Sequence, residues 1–155
     1  MIVVSDTSPL NYLILIELQD VLPTLFDQVL IPEAVRRELE SPAAPEPVKR
    51  FLVASPTWLE VRPSPEIDGA LQHLDSGERE VISLGLAVRA DSVLLDERKG
   101  RAAARARGLR VSGTLGVLDV ASRRGLVNIA DALARLKQTS FRASPKLMTQ
   151  PGGGT

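Results

Sequence analysis

The chain has 155 residues, no cysteine and one histidine, with 19 basic and 19 acidic side chains and a formal net charge of zero. That length suits one domain with a substantial core, and 44% hydrophobic with 25% charged residues is ordinary for a globular protein. Disulfides, thiolate metal sites and a cysteine nucleophile are excluded, no apolar run approaches the ~20 residues of a membrane span, and no secretory leader is evident, so a cytoplasmic location is expected.

Ile2, Val3 and Val4 form a short, mostly β-branched apolar run that reads as a buried strand, and Asp6 follows where it ends. Ser8 as N-cap and Pro9 at the first helical position open a largely buried helix over residues 9–18. A carboxylate is thereby set at the carboxyl end of a strand, in the crevice where open α/β sheets hold ligands, although Asp6 serves equally well as a plain turn cap. Asp20 caps a short helix bearing Val21, Leu22, Leu25 and Phe26. Val29, Leu30 and Ile31 are a second strand, and Pro32 opens a helix whose apolar stripe, Val35 and Leu39, has Glu38 at its margin.

Residues 41–47 hold three prolines and form a connection, followed by a short helix over 48–53. Trp58, Leu59 and Val61 suggest an edge strand closed by Pro63 and Pro65. Ile67, Ala70, Leu71 and Leu74 recur at helical spacing, and a long helix is expected over 78–88. Val93, Leu94 and Leu95 are a buried strand with Asp96 directly after it. An Ala/Arg-rich helix then runs to Gly108 as C-cap, a strand covers 109–112, and helices follow from Thr114 to Gly125 and over 130–136. Residues 149–155 read as a disordered tail after a single domain over 1–148. Short apolar strands alternating with helices imply α/β with a mostly parallel sheet.

Asp6 and Asp96 end strands; Glu38 and Glu80 border the apolar faces of helices. Carboxylates gathered at the edge of a parallel sheet repel one another, and a divalent cation with hard oxygen ligands, Mg²⁺ or Mn²⁺, resolves the repulsion. Such a site can activate water and stabilise the charge that develops when a phosphodiester is cut. Glu78 is placed to close a capping box with Asp75, and Glu97 to sit at a solvated helix start. Arg98, Lys99, Arg101 and Arg105 lie on the following helix with no acid until Asp119, a basic face suited to phosphates or simply to solvent. His73, the sole histidine, reads as a surface residue. No P-loop, HExxH, GxGxxG or GxSxG is present, and Asp6 lacks the second Asp of haloacid-dehalogenase-type phosphatases.

The ordered set of motifs resembles PIN-domain proteins. It comprises Val4-Ser5-Asp6-Thr7-Ser8-Pro9-Leu10, Ile31-Pro32-Glu33-Ala34-Val35 with Glu38-Leu39, Gly77-Glu78-Arg79-Glu80, Leu95-Asp96-Glu97-Arg98-Lys99-Gly100-Arg101 and Gly113-Thr114-Leu115-Gly116-Val117. The likeness is greatest to a poorly characterised prokaryotic branch related to VapC-type toxins, and extends to about Leu147. It implies a three-layer α/β/α sandwich, Mg²⁺/Mn²⁺-dependent endoribonuclease activity and restraint by an antitoxin partner. It makes Asp6, Glu38, Glu80 and Asp96 the catalytic, metal-binding acids, with Ser8, Glu78 and Glu97 as auxiliary groups and Arg98, Lys99, Arg101 and Arg105 along the RNA. Glu80 is preferred to Glu78 because Ala87 follows at the family's offset; Arg98 stands where the toxin pattern has an acid, so Asp96 or Glu97 serves there. A homodimer is expected. The alternatives are a PIN-like scaffold that binds nucleic acid or protein without cutting, and a phosphatase using Asp6 as nucleophile.

Overall fold

A computed structural model describes residues 1–65 and 69–141. The central strand is β1 (Ile2–Ser5), whose Val3 and Val4 are completely buried. On one side lie β2 (Gln28–Pro32) and β3 (Leu59–Arg62), on the other β4 (Ser92–Leu94) and β5 (Val111–Ser112). The order is β3-β2-β1-β4-β5 and every pairing is parallel, with Val4 registered against Leu30 on one flank and Val93 on the other. Strands enclosed on both faces read as continuous apolar runs, which is why β1, β2 and β4 are conspicuous in the sequence.

Parallel neighbours need crossovers, and helices supply them. α1 (Thr7–Leu15) and α2 (Val21–Leu25) join β1 to β2; α3 (Glu33–Leu39) and α4 (Glu46–Ala54) join β2 to β3. α5 (Ser76–Ala87) carries the chain back across the sheet to β4, and α6 (Arg98–Ala106) leads to β5. α7 (Thr114–Arg123) and α8 (Ile129–Lys137) follow. α5 packs on β1, β2 and β4 with α6 beside it, whereas α1 packs against α3, α4 and α7. Right-handed crossovers running in opposite directions put these two groups on opposite faces, giving the three-layer α/β/α sandwich expected. Because the chain leaves β1 toward β2 and later returns to β4, the β1–β4 seam is a topological switch point, with its crevice at the carboxyl ends of the strands.

Several boundaries differ from expectation. α1 begins at Thr7 with Asp6, not Ser8, in the N-cap position, and it stops at Leu15. The Asp6 N–H donates to Leu94 O at 2.9 Å, so the strand ladder continues into Asp6 and the helix starts directly behind it. The segment before α5 forms a single 3-10 turn, Gly69–Leu71, with Leu71 and Leu74 buried; Ile67 lies outside the described residues. The edge position of β3 and the exposure of His73 agree with the sequence reading. The tail expected over 149–155 is outside the described residues. Among the described residues no helix is long and apolar enough to cross a membrane.

Candidate acidic site

The site is built outward from Asp6, which the backbone bond to Leu94 pins at the switch point. Its side chain is 7% exposed and makes no capping hydrogen bond, so a plain cap does not account for it. Burial pushes its carboxyl up to about 8; the Thr7 N–H pulls the other way, while Asp75, Glu38 and Glu78 push it further.

Asp6, Glu38 and Asp75 meet around Gly77, the second residue of α5. A Cβ built there would stand 2.8 Å from Glu38 Oε1, 2.9 Å from Asp6 Oδ1 and 3.5 Å from Asp75 Oδ1. Oxygens from the end of β1, the last turn of α3 and the start of α5 thus flank one small volume that only a glycine leaves open. Glu38 is solvent-facing, held in place by the buried Leu39 next to it. Partial burial raises its carboxyl above the usual range, the Thr7 hydroxyl opposes this, and Asp75 adds to it. That hydroxyl faces Glu38 but is enclosed and outside hydrogen-bonding geometry with any partner.

Glu78 is 5% exposed and divides its two oxygens between two roles. Its Oε1 accepts the Asp75 N–H at 3.3 Å while Asp75 Oδ1 accepts the Glu78 N–H at 2.8 Å, which is the capping box read from the sequence. Its Oε2 is enclosed without a partner, 2.5 Å from where a Cβ on Gly100 of α6 would lie. Burial, then Asp75, raise this carboxyl to about 7, and Glu97 at the N-cap of α6 adds to the push. Asp75 is the member of the group that the sequence did not suggest, since its capping pattern explained it fully.

Glu80 and Asp96 are engaged elsewhere. Glu80 Oε1 accepts the Ala34 N–H at 3.1 Å, in the first turn of α3, and its Oε2 lies 3.8 Å from Arg37. It therefore ties α5 to α3, the helix that carries Glu38. Replacing Glu80 with Ala leaves that amide without its partner, and should lower stability in urea by about 1 kcal/mol; an unchanged midpoint would show that the tie contributes nothing. Asp96 accepts both the N–H and the hydroxyl of Thr114 at 2.8 Å, capping α7 from outside the helix. Enclosure raises its carboxyl, against the Thr114 donors and Arg101.

Arg101 Nη1 donates to Leu95 O at 2.9 Å, beside Asp96, and its Nη2 is enclosed without a partner. Burial and the adjacent Arg105 lower its pKa, so positive charge is crowded at the β4 end of the crevice. Arg98, Lys99 and Arg105 are exposed on α6; Ser8 is half-buried in the first turn of α1. Among the described residues no group of three or more acidic, histidine or cysteine side chains is placed so that it could hold a metal ion.

An open parallel sheet, with an acid behind its central strand and others delivered from flanking helices, defines an α/β domain of nuclease-like architecture. The family model for DUF3368, described as a PIN domain, matches residues 2–151, and the chain belongs to that family. No curated protein matches it at a significant level.

Proposed function

We propose that this protein is a Mg²⁺- or Mn²⁺-dependent endoribonuclease acting as the toxin half of a toxin–antitoxin pair. The observation that carries the reading is the buried Asp6 at the carboxyl end of the central strand, whose Oδ1 and the Oε1 of Glu38 both crowd against Gly77. The donor set fits a hard divalent cation: every group is a carboxylate oxygen, the carboxyls of Asp6 and Glu78 are raised by burial and mutual repulsion, and Glu78 Oε2 has no partner. Asp6, Glu38 and Glu78 would hold the cation, with Asp75 beside them. We choose Glu78 over Glu80 because Asp6 feels its charge, whereas Glu80 bonds to α3. We likewise leave Asp96 with Thr114.

A bound cation supplies charge neutralisation at the phosphodiester and acidifies water near neutral pH. The chain's own residues do the rest. Asp6 surrenders its proton as the site is loaded, which makes loading proton-linked. Arg101, with Arg98, Lys99 and Arg105 along α6, holds the strand through its phosphates. RNA is thus the substrate and an antitoxin protein the restraining partner.

The test has two parts. Calorimetric titration with MnCl₂ at pH 7.5 should show binding accompanied by proton release, and labelled single-stranded RNA should be cut only when Mn²⁺ or Mg²⁺ is present. Absence of binding at millimolar metal would overturn this reading in favour of a PIN-like scaffold that holds RNA or a partner without cutting. The lack of a ready-made three-ligand cluster among the described residues is the observation on that side.

A further inference from the structure

A groove of about 340 Å³ runs from Glu38 along α1 to the connection between α3 and α4. Its walls are of two kinds. Thr7, Asn11 and Glu38 line the side of the acidic site, and Ala43, Ala44 and Pro45 contribute the accessible apolar surface. Among the described residues nothing hydrogen-bonds the Asn11 amide, which is half-buried at the groove wall. An unengaged side-chain amide beside apolar surface, in a cleft of roughly 300–1,000 Å³, fits the make-up of a small-ligand site.

We propose that this groove is a nucleoside subsite and that Asn11 selects the base it accepts. The inference rests on the endoribonuclease reading, since the groove shares Glu38 with the acidic site. A phosphodiester held at that site directs one of its flanking nucleosides into the groove. Single-stranded RNA is read by hydrogen bonds to splayed-out bases, with or without stacking. Stacking is not offered here: no aromatic residue lines the groove, and the Tyr12 ring packs edge-on against Phe141 at 5.1 Å. The base is instead gripped between aliphatic carbons and read by the side-chain amide. An amide presents one donor beside one acceptor, which can meet an edge of any base and, for asparagine, characteristically pairs with the exocyclic N–H and a ring nitrogen of adenine. A carboxylate, with acceptors only, matches the adjacent N1–H and N2–H of guanine. Asn11 is therefore a specificity-determining residue with a chemically defined switch, Asn11→Asp.

The experiment is a chemical-shift titration of the ¹⁵N-labelled protein with AMP, CMP, GMP and UMP in MgCl₂, repeated on Asn11→Ala and Asn11→Asp after their melting temperatures are checked. Nucleotides should move the Asn11 side-chain amide and the Ala44 backbone amide, with roughly 5- to 150-fold spread in Kd among bases, the range of one bidentate contact. Asn11→Ala should flatten the spread and Asn11→Asp should shift it toward GMP. Equal Kd values in the wild type, an unchanged ranking in Asn11→Ala, or shifts that avoid Asn11 and Ala44 would each overturn the proposal. The readout needs no cleavage. Base selection without RNA cutting would retain this subsite and reject the nuclease; cutting with no effect of Asn11 would do the reverse.

Discussion

Asp6→Asn should melt higher than the wild type in EDTA at pH 8, yet cut no RNA when Mn²⁺ is restored. The Asp6 carboxyl stands at about 8 in the fold against 3.8 for an ordinary aspartate, because burial and then its acidic neighbours penalise the charge. A raised acid holds more protons folded than unfolded between those two values. Its contribution to stability therefore falls as pH climbs from about 4 to about 8, and is constant beyond. Asparagine keeps the volume and stays neutral, so the mutant's advantage should open across that window and vanish near pH 4. Carboxylate pairs near 4 Å cost on the order of 1–4 kcal/mol at effective dielectrics of 80 to 20. The advantage should lie in that range, several degrees in Tm for a chain of this size. Because Asp6 feels the charge of Glu78, the difference curve reports Asp6 together with its effect on that neighbour. With saturating Mn²⁺ the order should reverse, since the mutant has lost a charged ligand. A mutant that melts several degrees lower in EDTA and still cuts RNA would remove Asp6 from the chemistry.

What could be read from the sequence divides according to the range of the interaction. Val3, Val4, Leu30 and Val93 announce their strands because enclosure on both faces demands apolar residues at every position. Asp6 and Glu38 were legible for the same local reason: one ends such a strand and the other borders a buried stripe. The choice within α5 was not. Glu78 and Glu80 are two residues apart, hence about 200° apart around the helix, and each borders buried Val81 or Ile82 in the linear pattern. Only the docking of α5 sets Glu78 Oε2 against Gly100 of α6 and Glu80 against the Ala34 N–H of α3. Asp96 illustrates the same limit. Its position after β4 mirrors that of Asp6, but Thr114, eighteen residues on, returns through β5 to engage both its oxygens. Asp75 was hidden by a sufficient local explanation, a capping box, that turned out to coexist with the site. The N-cap of α1 moved from Ser8 to Asp6, and its first residue from Pro9 to Thr7; a ladder bond to Leu94 holds Asp6 extended directly before the helix.

The close approach of two carboxylates to Gly77 permits a separation of stability from function that few positions allow. Gly77→Ala should fold with nearly unchanged stability while losing metal binding and at least 100-fold in RNA cleavage. In a helix, exchanging Gly for Ala gains roughly 0.5–1 kcal/mol through the backbone. Against this, the new methyl would stand 2.8 Å from Glu38 Oε1 and 2.9 Å from Asp6 Oδ1. Glu38 is solvent-facing and can swing away at little cost, whereas Asp6 is buried on a pinned backbone and must twist within its pocket. Overpacking of this kind costs about 1–3 kcal/mol when neighbours cannot yield; with one that can, the two effects nearly cancel. The methyl nonetheless fills the space between the two acids and drives them apart. Gly85→Ala, farther along the same helix, is the control: its methyl would meet Val93 Cγ1 of β4 at 2.8 Å, inside the core. That variant should lose about 1–3 kcal/mol in urea, while its folded fraction still takes up Mn²⁺. Paired urea and Mn²⁺ titrations read both substitutions. A Gly77→Ala protein that binds Mn²⁺ and cuts RNA like the wild type would show that the volume between Asp6 and Glu38 is not where the chemistry occurs.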